Sequence, residues 1–390
     1  MIKKTGITNN AIRKYTMLIA LAVVFVVFAI ATEGRLLVPQ NLSNLLLQNS
    51  YVLIMACGML LCILTGGNVD LSVGSTVCLV GAVAAQLMAA GVNALIVIPL
   101  CIVISLLIGI WQGFWIGHVH VPPFICTLAG MFLFRGLGRA ILGSKTVTVE
   151  NNTFFDIFTA YINIPSLDSG DVKWSAFLLG CIVSAAIAAK AVLDHKRKGQ
   201  KGYKQEPIVH IVLRSSLFIL LILAYTWQLA HYRGVSVMAL WVIAVILVYS
   251  YITSSTAIGR YFYAVGGNEK AASLSGINTK KVYFLAYVSM SVLAGLSGLM
   301  VIARIGSVNS DTGSSFEMDA IGACFIGGAS AYGGSGNIRG VIIGAILLGV
   351  INQGMSIMGI NNNFQYVIKG AVLLTAVIFD VLSNRKSGKA

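Results

Sequence analysis

Long apolar runs alternate with short polar joins along the whole chain. Apolar segments fall near 15–32, 45–64, 73–90, 94–117, 122–142, 175–193, 211–230, 236–253, 282–303, 318–331, 338–358 and 364–383. Most approach the ~20 residues that carry an α-helix across a bilayer. Backbone in lipid must satisfy its own hydrogen bonds, so the pattern predicts an all-α, polytopic transmembrane helical bundle of roughly ten to twelve spans. The runs near 45–64 and 318–331 are short or interrupted by glycine, and both are expected to be broken or re-entrant. Residues 1–390 read as one membrane domain. The first run, Met17–Ala31, is long for a signal peptide, and no small-x-small site follows it before Glu33, so it reads as a retained helix.

Composition agrees: 57% of residues are hydrophobic and 10% are charged, against about 25% charged in soluble domains. The mean hydropathy is +0.86. The net charge of +14 gives no nucleic-acid signal, because the basic residues sit at span ends, densest in DHKRKGQKGYK at 194–204. The long join 143–173 instead sets Glu150, Asp156, Asp168 and Asp171 against Lys145 and Lys173. By the positive-inside rule both termini, 194–210 and 254–281 face the cytoplasm and 143–173 faces outside. The basic loop 194–210 can also touch anionic membrane lipid.

Several motif classes are absent. The seven cysteines lie in apolar spans without a CxxC and read as small packed hydrophobes. His118 and His120, two apart, do not share a helix face, so a metal pair is not expected. GGSGNIRG at 333–340 lacks the Lys-Ser/Thr end of a phosphate loop, and reads as a tight turn allowing close helix packing. No nucleophile, base and acid assemble into a catalytic set.

Polar islands within the apolar runs carry the better clues. TGGNVDLSVGS, 65–75, places Asn68, Asp70 and Ser72 among glycines. A carboxylate there is expensive unless it is paired, hydrogen-bonded or wet. It either caps the helix that begins near Val73, together with Ser72, or lines a path, and the two roles are compatible. SSFEMDAIGACFIGGAS, 314–330, repeats the pattern with Glu317 and Asp319. Two such islands, one in each half, point to an internal duplication with irregular backbone near a substrate path. Arg135, Arg139, Asn352, Gln353, Gln365 and Lys369 are further polar groups inside spans.

The remaining island is GRYFYAVGGNEKAASLSGI, 259–277, a polar, glycine-punctuated stretch between spans. It predicts a short amphipathic helix with Asn268 as cap, Glu269 at the positive dipole end, small Ala271, Ala272, Ser273 and Ser275, and a stop at Gly276. Small side chains let a partner's groove reach the backbone. A solvated loop between helices fits the same residues.

In order, GGNVDLSVGS, the 259–277 segment and EMDAIGACFIGGASAYGGSGNIRGVIIGAILLGVINQGM resemble the permease subunits of bacterial ATP-binding-cassette importers for simple sugars, the ribose, xylose and galactose group. The likeness runs from about Asn41 to Asp380. It departs in an extra hydrophobic pair at 174–230, joined by the basic loop 194–210, which is similar to the xylose or multiple-monosaccharide branch. The resemblance implies a transport subunit of the bacterial inner membrane, not an enzyme, that binds no cofactor itself. ATP and Mg would be used by a cytoplasmic ATP-binding partner. A secreted sugar-binding protein, a second copy of the permease and a monosaccharide complete the implied assembly. In that family the segment matching 259–277 docks on the ATPase, which assigns coupling to Gly267, Asn268, Glu269, Ala271, Ala272, Leu274, Ser275 and Gly276. Asn68, Asp70, Ser72, Glu317, Asp319, Asn352 and Gln353 are the candidate pathway or structural polar groups. A permease for a nucleoside or amino acid is the alternative cargo. An ion-coupled secondary transporter, driven through Asp70, Glu317 or Asp319, is the alternative class.

Overall fold

Helix ends fall where the sequence supplies caps and prolines. A computed structural model describes residues 4–168, 170–200 and 208–386. It contains α1 (Lys4–Ala31), α2 (Pro39–Leu64), α3 (Val73–Ala89), α4 (Ala94–Gly117), α5 (Pro123–Leu142), α6 (Asn152–Phe158), α7 (Trp174–Gln200), α8 (Ile208–Ala230) and α9 (Val237–Ser255). These are followed by α10 (Ala257–Gly267), α11 (Glu269–Leu274), α12 (Thr279–Ile305), α13 (Phe316–Ile326), α14 (Ile338–Ile357) and α15 (Asn362–Lys386). Asn93, Ser236, Asn278 and Asn337 accept from first-turn amides of α4, α9, α12 and α14. Each satisfies a donor that the helix leaves open. Pro39 and Pro123 sit in first turns, where the missing N–H costs nothing.

Each predicted apolar segment coincides with one of these helices except 318–331, whose last residues fall in a loop, and the run 45–64, expected to be broken or re-entrant, is instead part of the unbroken α2. Among the described residues eight are long and apolar enough to cross a membrane, with Met17–Ala31 and Val73–Ala89 as shorter apolar helices. The segment expected at 318–331 departs most. Its helix, α13, has only 11 residues, about 16 Å of rise against a ~30 Å hydrocarbon core. A glycine-rich loop, 327–337, continues its course to α14. Of the basic loop 194–210, residues 201–207 lie outside the described residues.

The centre of the bundle is α2, whose residues 52–64 are all buried. It packs against α12, α14, α13 and α9, which fits its apolar character all round. The tightest seam joins α4 to α12. Gly109, Gly113 and Gly117, spaced by four, put one backbone stripe on the α12 backbone. A Cβ on Gly109 would lie 2.7 Å from the Val288 Cα, and one on Gly117 2.6 Å from the Lys280 carbonyl oxygen.

At one end of the bundle, β1 (Val147–Thr148) pairs antiparallel with β2 (Ser307–Val308). Asp168 closes the join beside it, accepting from the Ile164 amide at 2.8 Å and from the Ser175 amide at 2.9 Å. Burial opposes ionisation of Asp168, but the Ser175 and Ile164 hydrogen bonds and the Lys173 charge hold its carboxyl below the usual range. The 27 residues of α12, about 40 Å, separate this end from α10 and α11. The joins 143–173 and 256–278 therefore occupy opposite faces.

Candidate functional site

The helix expected with Asn268 as its cap is α11, and a second helix, α10, precedes it within the same segment. Thr256 caps α10 through a 3.1 Å bond from the Gly259 amide. The chain then turns extended at Asn268, which ends α10 and caps α11 by accepting from the Ala271 amide at 2.9 Å. Glu269 lies in the first turn, as the helix dipole favours, and accepts from the Tyr283 hydroxyl at 3.1 Å. Gly276 terminates the turn at φ +84°, a left-handed conformation that suits glycine. Gly267, Asn268, Glu269, Ala271, Leu274, Ser275 and Gly276 are exposed. Leu274 is 88% exposed, whereas Ala272 is buried against its own chain. Ala272 thus seats α11, and Leu274 is the apolar residue it presents.

Behind α11, three glycine pairs meet. The Gly334 amide donates to the Leu64 carbonyl at 3.1 Å. A Cβ on Gly266 would collide with that same carbonyl, and one on Gly333 with the backbone of Gly66. The end of α10, the end of α2 and the 327–337 loop thus touch backbone to backbone. Tyr263 adds a bond from its hydroxyl to the Gly336 carbonyl at 2.9 Å.

From this junction the first polar island, 65–72, turns back into the bundle. Asp70 Oδ1 accepts from the Ser72 amide at 2.8 Å and from the Ser72 hydroxyl at 2.7 Å. The expected capping is corrected here: Ser72 is the N-cap of α3 but makes no side-chain bond to it, and Asp70 holds Ser72 itself rather than the helix amides. The Ser72 hydroxyl is drawn elsewhere, accepting from Gln112 Nε2 at 2.6 Å. Gln112 Oε1 accepts in turn from the Ser291 hydroxyl at 3.3 Å. All four residues are buried, so the network ties the 65–72 loop to α4 and α12. Asn68 donates to the Thr65 carbonyl at 3.1 Å and also meets the Tyr283 hydroxyl of α12.

The second island meets the first. A Cβ on Gly74 would strike the Gly313 carbonyl and the Glu317 carboxylate, so α3 and α13 begin beside one another within the bundle. Arg135 Nη1 reaches over from α5 to donate to the Thr312 carbonyl at 2.7 Å. Asp319, one turn into α13 and 3% exposed, accepts from the Tyr51 hydroxyl at 2.7 Å and pairs with Lys369 of α15 at 2.9 Å. Among the described residues no hydrogen bond or ion pair links Asn352 or Gln353 to these acids. The Oδ1 of Asn352 and the Oε1 of Gln353 have no partner.

Sequence reasoning missed Gln112, Ser291 and Tyr51 as partners. The available signal for Gln112 was one amide in the otherwise apolar run 106–111 and 114–116.

Residues 41–377 match the family described as branched-chain amino acid transport system / permease component. The chain is 34% identical over 373 residues to the xylose transport system permease protein of Haemophilus influenzae, covering 95% of this chain and 97% of that one. It is 33% identical to the xylose transport system permease protein of Escherichia coli K12, covering 98% and 95%. The ribose import permease protein of Escherichia coli K12 is 32% identical, over 87% of this chain and 85% of that protein. No solved structure matches. The chain belongs to this permease family and is a multi-pass membrane protein.

Proposed function

We propose that the chain is the membrane-spanning subunit of an ATP-driven importer and forms the pathway for a monosaccharide of the xylose type. The observation that carries this reading is likeness to xylose permeases over 95–98% of the chain. That coverage takes in the added pair α7 and α8. The ribose relative aligns over a smaller share.

The geometry supports the rest of the assembly. Leu274, nine-tenths bare on a capped six-residue helix, gives an ATP-binding subunit an apolar anchor. ATP-driven closure of two such subunits would displace α11, and α10 would press on the Leu64–Gly334 junction. Both irregular segments, 65–72 and 327–337, leave from there. Segment 65–72 leads into the start of α3, and 327–337 follows the end of α13, whose own start faces that of α3, so a shift at the junction opens or closes the interior by rigid-body movement. A second copy of the chain supplies the other half of the pathway, and a secreted binding protein delivers the sugar on the face formed by 143–173 and 306–315. Both termini, α10 and α11 face the cytoplasm of a bacterial inner membrane, in keeping with the basic residues at those ends. ATP and Mg are the partner's.

Reconstitution tests this. Proteoliposomes holding the permease, its ATPase and its binding protein should take up xylose with ATP and without any ion gradient. Uptake that follows a proton or sodium gradient and ignores ATP would overturn the proposal.

A further inference from the structure

A cavity of about 210 Å³ lies between α13, α14 and α15, with Ser315, Asp319, Gly322, Tyr366, Lys369 and Gly370 in its wall. Its size falls below the ~300 Å³ at which pockets for drug-sized ligands begin, so it suits one small ring rather than two. Its wall is largely apolar, with Met318, Ile326, Leu348 and Leu373, and its polar groups are the Lys369 ammonium, which pairs with the buried Asp319, the Ser315 hydroxyl, and the Tyr366 ring, whose centroid lies 5.9 Å from the Lys369 nitrogen. A monosaccharide presents the matching set: hydroxyls that accept from the ammonium and exchange hydrogen bonds with the Ser315 hydroxyl, and a C–H face that lies on apolar side chains and an aromatic ring.

The ion pair needs a reason beyond stability. Removing two charges from water costs several kcal/mol per ion, and apolar residues of similar volume often serve as well or better. An ionisable group inside a membrane bundle marks a functional place by default. Here Asp319 is 3% exposed and the Lys369 side chain 20% exposed, so the ammonium is the member that faces the cavity. The wall also has slack. A Cβ on Gly370 would meet nothing within 4 Å, and one on Gly322 would touch only side-chain ends, those of Leu348 and Leu373.

We infer that this cavity is a transit subsite for one monosaccharide, in which sugar hydroxyls engage the Lys369 ammonium, held in place by Asp319, while the ring rests on Tyr366. The inference rests on the importer reading above and adds a location to it. An alkyl chain is the poorer occupant, because it would leave the charge pair unsolvated beside it.

The test uses the complete complex in lipid nanodiscs and in proteoliposomes, with D-xylose as probe. A Gly370→Cys variant is modified with a hydrophilic methanethiosulfonate, and modification at that peptide is read by mass spectrometry. Saturating xylose should slow modification at least several-fold, and the modified complex should lose most of its uptake. A double variant, Asp319→Asn with Lys369→Met, removes both charges and leaves no buried ion unpaired. It should still assemble with the ATPase, with uptake reduced ten-fold or more. Modification indifferent to xylose, full uptake by the modified complex, or normal uptake by the double variant would each overturn the subsite. Wild-type complex that moves no xylose would instead overturn the importer reading for this sugar, an outcome seen before any variant is made.

Discussion

The Leu64 carbonyl accepts a 3.1 Å hydrogen bond from the Gly334 amide, and Gly266 lies so close that it leaves no room there for a side chain. This contact joins the end of the central helix to the loop below α13 and to the helix that precedes α11. Backbone against backbone cannot yield as a side-chain tip can. Gly266→Ala is therefore expected to destabilise the protein by about 1–3 kcal/mol through overpacking. In purified complexes it should separate ATP hydrolysis from uptake. Unchanged melting and unchanged coupling ratio would remove the junction from the mechanism.

Leu274 offers a cleaner variant than Ala272. Because it is 88% exposed, Leu274→Glu should leave the melting temperature of the isolated permease within error. Co-purification of the ATP-binding subunit should fall at least ten-fold. Ala272→Trp, by contrast, should damage the permease itself, since Ala272 is buried. A Leu274→Glu permease that still retains its ATPase at full yield would show that docking occurs elsewhere.

Asp70 organises the first island through two bonds to Ser72. Asp70→Ala should cost about 1–3 kcal/mol by leaving buried donors unsatisfied. Asp70→Asn keeps the accepting oxygen and should recover most of that. Gln112→Leu should weaken the same unit. A double-mutant cycle between the two sites, read by thermal melting, should show coupling of at least ~0.5 kcal/mol. Strict additivity would mean that the network is four separate contacts.

How far this site could be read from sequence depends on the distance between partners. The islands themselves are legible, because Asp70, Glu317 and Asp319 break apolar runs. The caps are legible too: Asn268 and Gly276 do what their residue types favour. Partnerships across the bundle are not. Nothing local in Lys369 names Asp319, 50 positions away, and nothing in Gln112 names Ser72 or Ser291. Those pairings follow from tertiary packing, set by seams such as the one between α4 and α12. The separate helix α10 that precedes α11 was hidden for another reason. Asn268 is a good N-cap, and a good N-cap in extended conformation also ends whatever helix precedes it.

Acid should loosen the face formed by 143–173 at a definable point. The Asp168 carboxyl is held below its ordinary value in the folded protein. Its contribution is therefore complete above the unfolded value of about 3.9 and is lost as pH falls through the lower folded value. Hydrogen exchange of the Ile164 and Ser175 amides should be equally slow at pH 7 and pH 5, after correction for intrinsic rate, and should quicken only below pH ~4. Loss of protection between pH 7 and 5 would contradict the role given to Asp168.

The three-glycine stripe on α4 also has an evolutionary side. A seam made of backbone fixes α4 and α12 as one stiff partition, with little tolerance for substitution on either surface. The Asp319–Lys369 cavity lies among α13, α14 and α15, and α11 lies at the foot of α12. If the cavity is the proposed subsite and α11 the proposed docking helix, residues around the one can then drift toward a different cargo without disturbing the other, and α11 can adapt to a different ATPase without disturbing the cavity. In such a molecule, changes in what is carried and in what drives it can accumulate as separate inheritances.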